Sequence, residues 1–368
     1  RPHCLAKDRL RLWLPEKSRA LSQNEAPDQI PDTSDIQLDR ILEVIGASWA
    51  PSTKETYGAG LLVFHVYCDM CELPESARCP LSLNLLTSFV ASCAGSYSGS
   101  TLASYTAGLR AWHLLHGVPW HINTDELKAV LEGATRLAPP SSKIAKRSPF
   151  TPAILTLFRS HMQLDKPQDA AIFACMTVVF YGVARLGEFT VNSLKSFDPV
   201  KHVTCMRLSQ ETDRNGLLVT KIHVPSTKSS PSTGEDVQFA VQQGLSDPIA
   251  ALENHLRINK ADPSAHLFAW LHHKGLRPLT KRDVTKRITE IANAHAGLPN
   301  LKGHSLRIGG TLEYLLRGVP FDVVKTMGRW SSEAFTIYLR QHAQILAPYL
   351  QATPLLEPFT RYTMPPVR

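Results

Sequence analysis

The sequence predicts a mainly α protein carrying a small antiparallel β-sheet and divided into two domains. Apolar residues recur at helical spacing through most of residues 36–137. A basic stretch rich in Pro and Ser, Ala138-Pro-Pro-Ser-Ser-Lys-Ile-Ala-Lys-Arg-Ser-Pro149, then interrupts the pattern. Beyond it, short β-branched runs separated by turn residues lie between further helical segments. A length of 368 residues also exceeds the usual span of one domain, about 150 residues.

Residues 1–35 are punctuated by Pro2, Pro15, Pro27 and Pro31 without a sustained period, and read as a flexible N-terminal arm. Ser52 and Glu55 form a capping-box pattern, after which Tyr57, Leu61, Phe64 and Cys68 share a helical face. Pro80 opens a second apolar segment through Leu83, Leu86 and Phe89 to Cys93. Ser100 and Thr101 start a third helix, with Leu102, Tyr105, Leu109 and Trp112 along one side and Gly117 at its end. Asn123 with Glu126 opens a fourth, through Leu127, Val130 and Leu131. Residues 36–137 are therefore expected to be a compact helical bundle. The linker, 138–150, cannot continue a helix, because its prolines lack the amide donor and clash with the preceding turn. Thr151-Pro152 is an N-cap followed by Pro at the first helical position, and opens the second domain, 151–368. A helix over about 168–181 precedes three runs, Val203 to Leu208, Leu217 to Val224 and Asp236 to Gln242. Asn215-Gly216 and Ser229-Ser-Pro-Ser-Thr-Gly234 separate those runs, which read as an antiparallel meander. After Asp247-Pro248 the chain is again mainly helical, and no internal repeat is visible.

Composition narrows the function classes. Hydrophobic residues make up 43% and charged ones 20%, with a mean hydropathy of −0.13, which supports a sizeable core and excludes global disorder. Lys+Arg 40 against Asp+Glu 32 gives a formal charge of +8, which suits nucleic acid, an anionic membrane or simple solubility and decides among none of them. The longest strongly apolar run, Cys175 to Ala184, is too short to span a bilayer. The first residue is Arg, not Met, which leaves open both a longer chain and an N-terminal signal ahead of it. Arg1 to Asp35 shows neither an h-region nor a small-residue cleavage site, and the protein reads as soluble and intracellular. Cys68, Cys71 and Cys79 with His65 superficially suggest zinc, but a second pair at finger spacing is missing and His65 and Cys68 fall inside a helical pattern. They read as core residues, and an odd total of 7 cysteines argues against a disulfide framework. The sequence contains no Gly-rich phosphate loop ending in Lys-Ser/Thr, no Gly-x-Gly-x-x-Gly after a strand and no His-Glu-x-x-His. ATPase, dinucleotide-binding and zinc-protease readings lose their main support.

Charged and aromatic residues also stand where the local pattern is otherwise apolar. Arg185 lies in Tyr181-Gly-Val-Ala-Arg-Leu-Gly-Glu-Phe189, with Glu188 within reach if the chain turns helically. Taken alone, the two read equally well as a buried structural pair. Lys228, in Val224-Pro-Ser-Thr-Lys-Ser-Ser, occupies the turn between two strand-like runs and alone would be a solvated lysine. Gly303-His-Ser-Leu-Arg-Ile-Gly-Gly310 puts His304 and Arg307 on one face near a helix start, while Gly309 and Gly310 imply close packing or close approach of a partner. Met327-Gly-Arg-Trp330 precedes Phe335-Thr-Ile-Tyr338-Leu-Arg340; singly, Trp330 and Tyr338 would be core aromatics.

Jointly, Arg185, Lys228, His304-x-x-Arg307, Trp330 and Tyr338, in this order, resemble the tyrosine recombinase/integrase family. Trp330 stands where most members carry His and the Cre-like ones carry Trp. The linker and the segment Tyr67-Cys-Asp-Met-Cys-Glu-Leu-Pro-Glu75 look most like recombinases of eukaryotic mobile elements of Crypton or DIRS type. The resemblance implies a helical core-binding domain over 36–137 and the catalytic domain of DNA breaking-rejoining enzymes over 151–368. It implies site-specific cleavage and rejoining of double-stranded DNA through a 3′-phosphotyrosine, with no metal or ATP cofactor, by a homo-tetramer on paired sites and away from membranes. A nuclear location is expected in a eukaryote, and a cytoplasmic or nucleoid one in a bacterium.

Chemistry accounts for the residue types. Guanidiniums at Arg185 and Arg307 can bind the non-bridging oxygens of a scissile phosphate and stay charged at any working pH. A tyrosine has a pKa of about 10, so Tyr338 as nucleophile needs a positive field and a proton acceptor, for which His304 is the candidate. Lys228 is the candidate acid for the leaving 5′-hydroxyl. Trp330 would donate its indole N–H to the phosphate and buttress Tyr338, and Glu188 would orient Arg185 or His304. Lys143, Lys146 and Arg147 would cross the DNA backbone, and Lys281 to Arg287 would add a phosphate-contacting face. The apolar tail after Gln341 (Ile345, Leu346, Tyr349, Leu350, Leu355, Leu356) could dock on a neighbouring subunit or fold back on its own domain. The alternatives are a type IB topoisomerase and a domesticated, non-catalytic DNA-binding protein. The residue order and the N-domain favour the recombinase, and a mere binder needs neither Tyr338 nor Lys228.

Overall fold

The structure, a computed structural model, describes residues 1–16, 35–142, 147–295 and 297–330, together with 344, 345, 347 and 350. Its contacts divide the chain into two units, Arg1–Ala145 and Lys146–Arg368, each with its own apolar core.

The first unit is helical: α1 (Ala6–Leu12), α2 (Asp35–Ala47), α3 (Pro51–Met70), α4 (Glu75–Arg78), α5 (Leu83–Cys93), α6 (Gly99–His116) and α7 (Thr124–Arg136). The faces expected from periodicity are the buried ones. Leu61, Phe64 and Cys68 of α3 meet Leu86, Phe89 and Val90 of α5 and Leu102, Leu109 and Trp112 of α6. Burial there pushes the Cys68 thiol up to about 11 and the Cys79 thiol up to about 12. Helix starts differ from the sequence reading by a few residues. α3 begins at Pro51 after Ala50, ahead of the expected Ser52. Ser98, not Ser100 or Thr101, caps α6, its Oγ accepting from the Thr101 amide at 3.2 Å. Asn123 caps α7, accepting from the Asp125 and Glu126 amides at 2.9 and 3.3 Å.

The expected arm needs correction over residues 1–16, which are packed. Arg9 Nη1 donates to the Gly58 carbonyl at 3.1 Å, Trp112 Nε1 donates to the Trp13 carbonyl at 2.5 Å, and His116 Nε2 lies 2.8 Å from the Leu10 carbonyl. A helix as short as α1 is not stable alone, so its order comes from α3 and α6. Gly58 permits the approach, since a Cβ there would stand 1.8 Å from the Ala6 carbonyl oxygen. Residues 17–34 of that arm lie outside the described residues.

The second unit contains α8 (Pro152–Ser160), α9 (Pro167–Tyr181), β1 (Leu208–Thr212), β2 (Leu218–Val224), β3 (Glu235–Phe239), α10 (Pro248–Asn259), β4 (Trp270–His272), β5 (Gly275–Arg277), α11 (Lys281–Ala294), α12 (Gly303–Leu316) and α13 (Phe321–Met327). Thr151 Oγ1 accepts from the Ile154 amide at 3.2 Å, capping α8 with Pro152 at its first position. α9 is buried continuously from Ala170 to Tyr181 and forms the axis of the core. Strands β1, β2 and β3 make an antiparallel meander in that order. Its first strand is displaced from the expected Val203–Leu208. Val203 instead accepts the Leu267 amide at 2.9 Å, Thr204 bridges to His266, and Cys205–Arg207 form a 3₁₀ turn. β1 itself is exposed at most positions and carries no apolar alternation to betray it. Among the described residues, no helix is long and apolar enough to cross a membrane.

Packing of α12 on α9 sets the site. A Cβ on Gly309 would stand 2.2 Å from the Phe150 carbonyl oxygen, and one on Gly310 only 2.0 Å from that of Phe180. Close internal packing therefore explains the glycine pair. Gly310→Ala should destabilise the protein by about 2–3 kcal/mol through overpacking, read as a lower urea midpoint at unchanged m-value. An unchanged midpoint would mean that the two helices can part at no cost.

Candidate active site

Arg185 is delivered by the end of α9. Gly182 and then Val183, whose φ is 46°, turn the chain, and the Ala184 amide closes on the Val179 carbonyl at 2.9 Å. A β-branched residue in the left-handed region is strained, and the strain is held in a wholly buried turn. The following 3₁₀ turn, Leu186–Glu188, returns Glu188 to Arg185. Arg185 Nη1 donates to Glu188 Oε1 at 2.8 Å, and the Arg185 amide donates to Oε2 at 3.0 Å. Arg329 Nη2 donates to the same Oε2 at 2.5 Å. Glu188 is 6% exposed, so its charge is balanced by two guanidiniums rather than by water. Through its two bonds to Arg185, Glu188 orients that residue.

Arg185, still 29% exposed, lines a cavity of about 420 Å³ with Arg147, Lys281, Lys302, His304 and Thr285. Among the described residues, no acidic side chain lines it. Gly303 and His304 open α12, so the positive end of that helix also faces this region. Such a concave, cationic surface has the charge and the donors to hold an anion of phosphate type. Burial, followed by the charges of Arg147, Arg307, Arg185 and Lys281, pushes His304 down to about 4. It is thus neutral near pH 7, as a proton acceptor must be. Its folded pKa lies below the unfolded 6.5. The unfolded chain therefore takes up protons first, and His304 contributes stability above about pH 6.5 that is lost as pH falls toward 4. Two shifts are expected in an NMR titration of its ring. Arg147→Gln should raise the midpoint, and bound duplex should raise it further by adding negative charge. A midpoint insensitive to both would remove His304 from the cationic site.

Arg307, one α-helical turn from His304, is completely buried. Its Nη2 donates to the Gly328 carbonyl at 2.5 Å, and its guanidinium lies 4.1 Å from the centre of the Trp330 ring. The two arginines that the sequence treats alike thus differ: Arg185 opens on the cavity, whereas Arg307 is covered and stacked. Lys228 is exposed on the loop between β2 and β3 and is not part of the cavity wall. Its neighbours brace the loop. Thr227 Oγ1 and Ser229 Oγ both donate to Glu235 Oε2, the latter at 2.8 Å, and the Ser230 amide donates to Thr227 Oγ1 at 3.0 Å. Tyr338, Lys143 and Lys146 lie outside the described residues. Sequence reasoning passed over Lys302 and Arg329, because an isolated basic residue is ordinarily a solvated one.

No family model and no curated protein matches the chain. Solved structures do. One is the XerH site-specific recombinase bound to palindromic difH substrate in a post-cleavage complex, with TM-score 0.55 and 16% identity, covering 94% of this chain and 96% of that one. Another is the pre-cleavage complex of XerH with difH, with TM-score 0.51 and 13% identity, covering 95% and 98%. The chain has the tyrosine-recombinase fold. Within that recombinase fold, the glycine-mediated contact of α12 with α9 places the His304 face of one helix beside the Arg185 turn of the other.

Proposed function

We propose that the chain is a site-specific DNA recombinase that cleaves and rejoins duplex DNA through a 3′-phosphotyrosine on Tyr338. The cationic cavity carries the reading: Arg147, Arg185, Lys281 and Lys302 surround a neutral His304 at the start of α12. The scissile phosphate sits in this cavity with its non-bridging oxygens toward Arg185. Charge accumulating on those oxygens in the five-coordinate transition state is what the fixed cations oppose, each donor being worth about 3 kcal/mol in comparable sites. Tyr338 attacks phosphorus as His304 accepts its proton; the 5′-oxygen departs with a proton from Lys228, and a free 5′-hydroxyl then reverses the sequence. Arrival of the phosphate also raises the basicity of His304, because it offsets the charges that hold it down. Exchange between two duplexes breaks one phosphodiester in each strand, and each break needs its own tyrosine, which calls for a tetramer.

A nicked suicide duplex carrying a site selected from random sequences tests the reading. A detergent-resistant adduct followed by exchange between two such sites supports it. Adduct formation without exchange would favour a topoisomerase, and binding without an adduct a non-catalytic DNA-binding protein.

A further inference from the structure

Glu188 and Glu235 belong to separate elements, the 3₁₀ turn after α9 and the start of β3, and the side chain of Arg329 joins them. Arg329 is 7% exposed; its Nη2 donates to Glu188 Oε2 at 2.5 Å and its Nε lies 3.6 Å from Glu235 Oε2. Each carboxylate also holds a second partner. Glu188 grips Arg185, and Glu235 accepts hydrogen bonds from Thr227 and Ser229, the residues flanking Lys228. Arg329 itself takes φ 55°, in the left-handed region that non-glycine residues rarely occupy. A conformation of that kind persists where surrounding contacts over-determine it.

We infer that Arg329 is a positioning residue, which fixes the Lys228 hairpin relative to Arg185 by bridging Glu235 to Glu188. The proton donor and the phosphate-binding guanidinium stand on segments that share no backbone pairing, yet their task requires a defined separation. A planar guanidinium can address two carboxylates in one fixed geometry, which the compact ammonium of lysine cannot. The chain Lys228 hairpin–Glu235–Arg329–Glu188–Arg185 transmits that geometry. Here the inference rests on the reading of Lys228 as the acid for the 5′-leaving group.

Two measurements on the full chain test it. Hydrogen exchange reads the hairpin without reference to activity. In Arg329→Met, amides of residues 225–235 should exchange at least about tenfold faster, while those of α9 and α12 keep their protection. Cleavage of a nicked duplex is then compared with oxygen and with sulfur at the 5′-bridging position. A thiol has a pKa of about 8.5, so a sulfur leaving group departs without a proton. With oxygen, Arg329→Met and Lys228→Ala should each lose about 10²-fold or more, the usual contribution of a general acid. With sulfur both should recover most of the loss, Arg185→Ala should not recover, and Arg329→Lys should fall between wild type and Arg329→Met. Unchanged hairpin exchange in Arg329→Met overturns the inference, as does faster exchange with no rescue by sulfur. Failure of sulfur to rescue Lys228→Ala would instead remove Lys228 as the acid, leaving hairpin exchange to decide whether Arg329 holds the loop.

Discussion

Tyr338→Phe should eliminate the covalent protein–DNA adduct while preserving sequence-specific binding, because only one oxygen is deleted. The structure removes two competitors from consideration. Tyr181 is 1% exposed, with its hydroxyl 2.9 Å from Ser246 Oγ. Tyr314 donates its hydroxyl to the Tyr181 carbonyl at 2.9 Å, and burial pushes it up to about 12, away from the phenolate a nucleophile requires. Tyr314→Phe should therefore still form the adduct and lose only about 1 kcal/mol of stability, the usual worth of such a hydrogen bond. Tyr349 and Tyr362 lack the preceding Gly-Arg-Trp segment. On a nicked duplex the wild-type adduct should sit on a 3′-phosphate and leave a free 5′-hydroxyl. Peptide mapping to another tyrosine would overturn the residue assignment, and a 5′-linked adduct would overturn the mechanism.

Arg185→Ala should slow cleavage by about 10²- to 10³-fold through the lost phosphate donor. Arg307→Ala should slow it by releasing the Gly328–Trp330 turn that its guanidinium holds. Each should lose little DNA affinity, because many other phosphate contacts remain. Their effects on folding should differ. Arg185 is partly exposed, and its removal leaves Glu188 still paired with Arg329, so stability should change little. Arg307 is wholly buried, and its loss leaves a cavity beneath the Trp330 ring and forfeits a stacking contact worth about 2 kcal/mol when desolvated. Thermal melts alongside single-turnover cleavage separate the two contributions. If either variant lost binding and cleavage in equal proportion, that arginine would be a docking residue and not a catalytic one.

Much of this architecture is local, and for that reason legible in the sequence. The faces of α3, α5 and α6 announce themselves by spacing, and Asn123 and Thr151-Pro152 mark helix starts that the structure places at those residues. Asn215-Gly216 turns β1 into β2 with Gly216 at φ 81°. His304 and Arg307 share a helix face because they are three residues apart on one α-helix. Other features depend on partners remote in the chain. α1 is ordered by Gly58, Trp112 and His116, and β1 by pairing with β2 despite a polar sequence. The same holds at the site. Sequence supplies Arg185, Glu188 and Trp330 as candidates, but nothing adjacent to Arg329 shows that it reaches a carboxylate 141 positions away. Nor does spacing show that Arg307 is stacked and covered while Arg185 opens on a cavity. The sequence determined helix faces, turns and the kinds of residue available for phosphate chemistry, because those follow from backbone periodicity and side-chain chemistry. Burial and charge pairing arise only when separate elements close over one another, so the tertiary structure alone decided which cations face the cavity and which carboxylates hold them.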